Sequence, residues 1–320
     1  MMLAFLLTAI TSAQAQSADP APGWPNKPLR VVVPFTAGSA TDAVARIVTE
    51  RLGTQLGYTI VVENRPGAGT TIAGDAVVKS AVDGTNLFFT DIPTHAISVS
   101  LFAKLPYDPI KDFAPVALVS NSPLMLVAHP SLNIQNIGQL IERARAAPGK
   151  LTYGSAGNGT ITHLSGESIK MMAKVDLVHV PFKGGNSSVA SVLSGDIALS
   201  IITIPAALPH IRTGKMIGVG VTSTKRIPQA PNVSAIAEAV PGYETALRIG
   251  VLARAGTPAE TVARLNAEIN RALDGAKVKE VFAANAADPV KVSPAEFANL
   301  LEQEVRSWAA VVKASGAKAE

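Results

Sequence analysis

Residues 29–62 read LRVVVPFTAGSATDAVARIVTERLGTQLGYTIVV. The β-branched run over 29–33 predicts a strand. Apolar residues then recur at helical spacing, beginning from an N-cap at Thr41 or Asp42. A second β-branched run over 58–62 predicts another strand. Strand, helix and strand at this spacing form a βαβ unit, which predicts a parallel sheet with ligand loops at the carboxyl ends of its strands.

The same alternation of strands and helices continues along the chain. Further strands are expected at 86–90, 124–128, 151–154, 177–180, 197–202 and 216–221, and helices at 72–80, 137–146, 161–173 and 189–193. The tail is mainly helical, at 259–273, 278–284 and 295–313. This order predicts two α/β lobes with the tail packed back onto the first. We place lobe 1 at 27–122 plus 241–320, and lobe 2 at 123–240.

Composition narrows the class of protein. Of 320 residues, 48% are apolar and 16% are charged, which is typical of a globular chain. The formal net charge of +4 is not gathered into a basic block, so nucleic acid is not expected as a partner. The absence of cysteine excludes disulfides, thiol nucleophiles and cysteine-based metal clusters.

The first residues have the pattern of a secretory signal peptide. An apolar run begins at Leu3, and Ala13 and Ala15 are small residues that flank one position, so we predict cleavage after Ala15. No Lys or Arg precedes the run, which leaves the translation start open. No later apolar stretch reaches the roughly 18–20 residues that a membrane helix needs. We therefore expect an exported, soluble protein of residues 16–320.

Two loops have the composition of anion-binding loops. The first, at 34–42, offers backbone N–H groups, three hydroxyls and the start of a helix. The second, at 153–160, also connects a strand to a helix, and its glycines let backbone approach a ligand closely. It is not a phosphate-binding P-loop, because Gly159 stands where a Lys should precede Thr160. Each loop taken alone is also compatible with an ordinary glycine-bearing turn.

Two further loops are weaker candidates. Residues 63–70 match a dinucleotide-binding fingerprint only loosely, because the third glycine falls at Gly74 and position 72 is Ile72. Residues 180–186 bring the cation of Lys183 to the end of a strand. A solvated surface charge is the alternative for this lysine.

A catalytic or metal site is not evident. The chain has no Gly-x-Ser-x-Gly elbow and no His-Glu-x-x-His, and its five histidines lack metal-site spacing. His163 and Glu167 lie four residues apart on one helix, where a side-chain pair or a hydrogen bond is favoured over a metal site. We expect no metal, no cofactor and no catalysis, with an enzyme assembled from distant residues as the alternative.

A series of ordered motifs resembles one family. They are Pro34-Phe35-x-x-Gly38-x-x-Thr41-Asp42, Glu63-Asn64-Arg65-Pro66-Gly67-Ala68-Gly69, Asp83-Gly84-Thr85, Asp112-Phe113-Ala114-Pro115-Val116, Tyr153-Gly154-Ser155 and Val180-Pro181-Phe182-Lys183-Gly184. The chain resembles the substrate-binding proteins of tripartite tricarboxylate transporters, also called Bordetella uptake gene proteins. The resemblance covers essentially the whole mature chain.

The resemblance implies a monomeric periplasmic binding protein of the type II, Venus-flytrap class. Its two lobes would close on a small organic carboxylate and deliver it to a membrane permease. Backbone groups, hydroxyls and bridging waters of the two loops would hold the carboxylate. The candidate ligand-binding residues are Phe35, Thr36, Ala37, Gly38, Ser39, Ala40, Asp42, Ser155, Ala156, Asn158, Thr160, His163, Lys183, Thr203 and Arg248.

Three departures from the family pattern bear on the ligand. Ser39 replaces a second glycine and adds a hydroxyl to the first loop. Ile202, followed by Thr203, stands where an acidic residue is common, which favours a pure carboxylate over an amino acid. Arg248 stands at a position that is often aromatic, where it would either hold a second carboxylate or lie exposed at a strand end.

The sequence leaves the ligand and the physiological role open. Aliphatic dicarboxylates, tricarboxylates and aromatic carboxylates all remain candidate ligands. The rival functions are a secreted α/β enzyme that acts on a carboxylate and a periplasmic sensor that presents its closed form to a receptor.

Overall fold

The computed structural model describes residues 24–318 of the chain. Its strands are β1 (Leu29–Val33), β2 (Ile60–Asn64), β3 (Asn86–Asp91), β4 (Phe113–Ala128), β5 (Thr152–Ser155), β6 (Val178–Pro181), β7 (Leu199–Thr203), β8 (Ile217–Val221), β9 (Ala246–Arg254) and β10 (Asp288–Pro289). Its α-helices are α1 (Ala40–Leu56), α2 (Thr71–Val78), α3 (Ile92–Leu101), α4 (Ile137–Ala146), α5 (Ile161–Ala173), α6 (Gly185–Ser194), α7 (Ile204–Arg212), α8 (Ala259–Ala272), α9 (Ala276–Ala284) and α10 (Pro294–Ser315).

The strands form two sheets that share β4. In sheet A the strand order is β2-β1-β3-β9-β4, and β10 also pairs with β4. In sheet B the last residues of β4 lie between β8 and β7, and the order continues through β5 to β6. Pairing of β4 with β9 ends at Pro123, and pairing with β7 begins at Leu124. A single strand therefore carries the chain from one half of the molecule into the other.

The predicted parallel pairing is confirmed within each half. β1 pairs in parallel with β2 and β3, and β5 pairs in parallel with β6 and β7. The prediction is wrong for the sheets as wholes, because β4 and β9 are antiparallel to their neighbours. Sequence reasoning missed β9 and the part of β4 before Leu124. Pro115, Pro123 and Gly250 interrupt the β-branched pattern there, and the β4–β9 ladder shifts register after Pro115.

Two helices were also missed, and one began earlier than expected. α3 is buried on nearly every side, so its sequence carries no amphipathic period. α7 contains two prolines, at its second position and in its interior. α1 begins at Ala40 rather than Thr41 or Asp42, because the Ser39 hydroxyl caps it by accepting the Asp42 N–H at 3.2 Å.

The helical tail packs against sheet A, as the sequence predicted. α8 contacts β4 and α1, and α10 contacts α3 and β4 and also reaches α5 in the other half. A capping box between Ser293 and Glu296 begins α10, which buries Phe297, Leu301 and Trp308.

Two sequence predictions are not tested by these features. The residue boundaries of the two lobes stay a prediction. The predicted cleavage after Ala15 lies outside the described residues. Among residues 24–318, no helix is both long and apolar enough to cross a bilayer.

Candidate ligand-binding site

The two predicted binding loops lie at the carboxyl ends of parallel strands in the two halves. The first loop, residues 34–42, runs from the end of β1 into α1, and the second loop, residues 153–160, runs from β5 to the start of α5. Next to them, α3 and α5 meet: the Ile161 N–H donates to the Thr94 hydroxyl at 3.1 Å. A methyl group placed on Gly159 would overlap Leu101 of α3. The second loop therefore touches sheet A's half at the edge where the first loop lies.

Asp42 is a buried residue that supports the first loop through hydrogen bonds. Its side chain is 2% exposed, and its Oδ2 accepts from the Gly38 N–H at 2.9 Å and from Arg46 Nε at 2.9 Å. Its Oδ1 accepts from Asn64 Nδ2 at 2.8 Å. Burial raises the pKa of the Asp42 carboxyl, but the hydrogen bonds from Arg46, Asn64 and Gly38 outweigh it and hold that pKa below its usual value. The carboxylate is thus occupied by protein donors.

Asn64 is a functional candidate that the sequence analysis did not single out. Its amide nitrogen donates to Asp42 and, at 2.9 Å, to the carbonyl oxygen of Phe35. Asn64 and Asp42 therefore clamp the first loop at Phe35 and at Gly38. The motif around Asn64 was visible in the sequence, but its partners are far away along the chain, so their contact could not be read from spacing.

The first loop keeps open hydrogen-bond donors. Within the described residues, the backbone N–H groups of Thr36, Ala37, Ala40 and Thr41 have no acceptor. Because the Ser39 oxygen accepts the Asp42 N–H, its hydroxyl proton stays available for a ligand. The positive end of the α1 dipole lies at the same place. This arrangement suits a carboxylate.

The second loop differs, because side chains of β5 and α5 accept hydrogen bonds from three of its N–H groups. The Ala156 N–H donates to Thr162 Oγ1 at 2.9 Å, and the Gly157 N–H donates to Ser155 Oγ at 3.1 Å. The Gly159 N–H donates to His163 Nδ1 at 3.1 Å. The resemblance implied that backbone groups of this loop help to hold the carboxylate, but these three N–H groups are already bonded within the protein. Asn158 in this loop is half-buried, and Thr160, the N-cap residue of α5, is buried.

Two histidines lie behind the second loop. The ring of His179, on β6, stacks on the ring of His163 with centroids 3.8 Å apart and 13° between the planes. His179 Nε2 lies 2.7 Å from Ser155 Oγ, and Ser155 is fully buried. Burial lowers the pKa of His163 to about 4. Burial and the neighbouring His163 lower the pKa of His179 to about 3. Sequence reasoning missed His179 as a site residue.

Lys183 follows β6 and Thr203 ends β7, which are the two strands that flank β5 in sheet B. Lys183 is exposed in the β6–α6 connection, and the next residue, Gly184, donates its N–H to the Ala156 carbonyl at 3.2 Å. No ion pair involves Lys183 among the described residues. Thr203 is half-buried at the end of β7, where α7 begins. Both residues therefore flank the second loop.

Arg248 is held by α10. Its Nη1 lies 2.6 Å from Glu304 Oε1, and Glu304 Oε2 accepts from Trp308 Nε1 at 2.7 Å. The Arg248 side chain is only 22% exposed, so it is not the free surface arginine that the sequence left as one alternative. A ligand contact by Arg248 stays a prediction, and it would have to share the guanidinium with Glu304.

Comparison with known proteins supports the resemblance seen in the sequence. The family model described as tripartite tricarboxylate transporter family receptor matches residues 44–317. The chain is 34% identical to Protein BugT of Bordetella pertussis over 319 residues, which is 99% of this chain and 98% of that protein.

Solved structures show the same similarity. An R. palustris protein with adipate superposes with a TM-score of 0.85 at 34% identity, covering 92% of this chain and 98% of that one. Periplasmic binding protein BugD superposes with a TM-score of 0.83 at 29% identity, covering 92% and 99% of the two chains. MatC from Rhodopseudomonas palustris with bound malate superposes with a TM-score of 0.82 at 33% identity, covering 90% of this chain and 100% of that one. The predicted two-lobed α/β binding-protein fold is confirmed.

Proposed function

Because the chain belongs to the tripartite tricarboxylate transporter receptor family, we propose that it captures a small organic carboxylate in the periplasm and delivers it to a membrane permease. One observation supports a carboxylate as the ligand. Among the described residues, the N–H groups of Thr36, Ala37, Ala40 and Thr41 have no protein acceptor, and they lie just before α1 and in its first turn. Such a loop favours a carboxylate, since donors and a positive helix end converge there.

The ligand in this proposal is a dicarboxylate without an amino group. Lys183, which has no ion pair among residues 24–318, supplies a cation beside the second loop for a second carboxylate. An ammonium group, in contrast, would need an acceptor, and Asp42 already accepts three hydrogen bonds from the protein. The two similar proteins solved with adipate and with malate hold dicarboxylates, which supports this choice.

Ligand capture in this proposal works by a shift of population. A ligand that contacts loops of both halves stabilises the closed arrangement, because only that arrangement supplies both sets of contacts. The candidate residues of the first loop, together with Ser155, Ala156, Asn158, Thr160, Lys183 and Thr203, are the proposed contacts and loop supports.

We further propose that the protein has no catalytic turnover. Ser155 and His179 approach each other like a nucleophile and a base, but the serine is fully buried and the low pKa of His179 makes it a poor base at neutral pH. Among residues 24–318, no group of three or more acidic, histidine or cysteine side chains is placed to hold a metal ion.

A thermal-shift screen of residues 16–320 tests the ligand class. The panel contains adipate, malate, citrate, benzoate, acetate and aspartate, with NAD as a control. A ligand at 1,000 times its Kd should stabilise the fold by about 4 kcal/mol and raise Tm by several degrees. A shift with dicarboxylates alone is expected. A shift with aspartate or NAD alone would contradict the proposal, and chromatography of any bound ligand after incubation would reveal turnover.

Export and delivery need separate experiments in cells. Mass spectrometry of the protein from the periplasmic fraction should find Gln16 at its N-terminus. Deletion of the gene should abolish uptake of the dicarboxylate that the screen identifies. Normal uptake with loss of a transcriptional response would instead indicate a sensor.

A further inference from the structure

The second loop is attached to the stacked histidine pair through two different groups. His163 Nδ1 accepts the backbone N–H of Gly159, and His179 Nε2 contacts the hydroxyl of Ser155. The Ser155 oxygen in turn accepts the N–H of Gly157 at 3.1 Å. The two rings therefore hold the loop directly at Gly159 and Ser155, and indirectly at Gly157 through the Ser155 oxygen.

The hydrogen bonds of His163 define which ring nitrogen carries the proton. Since Nδ1 accepts a hydrogen bond, the ring proton must be on Nε2, which points toward Glu167 with 4.0 Å between Nε2 and Oε1. Glu167 is itself held by the Tyr153 hydroxyl at 2.6 Å and by Lys170 at 3.0 Å. Both imidazoles stay neutral at pH 7, because burial lowers the pKa of each. A neutral ring is the form that can accept from Gly159.

Gly159 is the place where the second loop touches the other half. Its φ is +75°, and any side chain there would overlap Leu101 of α3. A glycine has no side chain that could anchor the loop, so its N–H group is the available point of attachment. The bond to His163 therefore sets the position of the loop at the junction between the two halves.

We propose that His163 and His179 are positioning residues for the second binding loop. The stacked rings hold Gly159 and Ser155 so that the loop keeps the shape that receives a ligand, and neither ring needs to touch the ligand. This proposal rests on the proposed function for the claim that the loop binds the ligand. It reassigns His163, which the sequence analysis placed among the ligand contacts, and adds His179.

Matched substitutions separate the acceptor atom from the packing of the ring. In His163→Asn an amide oxygen can replace Nδ1, whereas in His163→Gln the amide lies one bond further out. For His179, Gln places a polar atom near Nε2, whereas Asn falls short of Ser155. All four variants remove the imidazole, so each pair differs mainly in the reach of its amide.

Isothermal titration with adipate tests the effect on binding. We expect the Kd of His163→Asn and His179→Gln to stay within about threefold of wild type. We expect His163→Gln and His179→Asn to bind roughly tenfold more weakly, as for one lost hydrogen bond. Equal weakening of both members of each pair would show that only packing matters and would overturn the proposal.

Nuclear magnetic resonance gives a second test that needs no ligand. The ¹⁵N side-chain spectrum should show His163 as the Nε2–H tautomer, and the Gly159 amide should exchange slowly in wild type and His163→Asn but faster in His163→Gln. An Nδ1–H tautomer, or Gly159 exchange that is equal in all three proteins, would overturn the proposal. If neither adipate nor malate binds the wild type, the proposed ligand class fails, while this measurement still decides the role of the histidines.

Discussion

Asp42 illustrates how a single side chain can support a binding loop without facing the ligand. It is buried, and the hydrogen bonds of its carboxylate run to Gly38, Arg46 and Asn64. An asparagine would keep one oxygen for the three donors that converge here, so at least one of the Gly38 N–H, Arg46 Nε and Asn64 Nδ2 groups would face an amide NH₂. Its effect on ligand binding should therefore arise through the shape of the first loop.

Asp42→Asn should lower the free energy of unfolding by about 1–3 kcal/mol, measured by urea denaturation at pH 7. The pKa of Asp42 is lowered in the folded state, so its stabilisation is present above the unfolded pKa and is lost as pH falls through the folded pKa. The variant should lack that part of the acid sensitivity. Glu302→Gln, which breaks an exposed i,i+4 pair with Arg306, is the control and should change stability by less than about 0.5 kcal/mol.

Lys183→Gln tests whether Lys183 binds the second carboxylate of the ligand. We expect the affinity for adipate to fall roughly tenfold, since one charge-assisted contact is lost, while binding of the monocarboxylate butyrate changes little. Lys215→Gln removes the same charge from the residues that precede β8, at the opposite edge of sheet B, and should leave both affinities unchanged. An equal small loss for adipate and butyrate in Lys183→Gln would exclude Lys183 as an anchor.

At the scale of elements, β9 is joined to α10 by a partly buried charge pair. Arg248 lies on β9 beside the shared strand β4, and its partner Glu304 is 8% exposed on α10. Loss of one partner from such a pair leaves the other charge buried and uncompensated. This pair therefore stabilises the packing of the tail helix.

Arg248→Met should destabilise the protein by about 3 kcal/mol in chemical denaturation. Adding Glu304→Gln to the same chain should recover part of that loss, because the buried charge is then removed. If Arg248→Met instead weakens dicarboxylate binding with no change in unfolding, Arg248 is a ligand contact as the sequence suggested.

The contact between α3 and the second loop gives a further prediction. Gly159→Ala combines a backbone penalty at positive φ with an overlap on Leu101, so we expect a loss of about 2–4 kcal/mol in thermal or urea unfolding. Gly38→Ala has a similar φ, +80°, and open space around the added methyl, so only about 1–2 kcal/mol should be lost. Leu101→Ala should relieve part of the Gly159→Ala effect, and equal losses in the two glycine variants would contradict this packing.

At the scale of the whole molecule, β4 links two sheets, and the second loop of sheet B's half lies against α3 of sheet A's half. Such a link permits one half to move relative to the other. Small-angle scattering should show a smaller radius of gyration with saturating adipate than without it, and light scattering should give the mass of one chain in both cases. A radius that does not change on saturation, or a dimer that forms with adipate, would contradict closure of a monomer.

Much of the fold was predictable because its signals are local. The βαβ unit at 29–62 has a β-branched run on each side of an amphipathic helix, and these periods appear within a few residues. The part of β4 before Leu124 and the helix α3 escaped prediction for physical reasons: prolines break the strand pattern of β4, and burial on nearly all sides removes the polar face of α3.

The sequence by itself determined the alternation of strands and helices, the two loops at strand ends, and the order of motifs that marks the family. Tertiary structure decided which side chains hold the loops and the candidate residues in place, since several of those partners come from distant positions along the chain. Asn64 reaches Phe35 across 29 residues, His179 reaches Ser155 across 24, and Glu304 holds Arg248 across 56. Contacts of this range depend on how the sheets and helices pack, which no local pattern records.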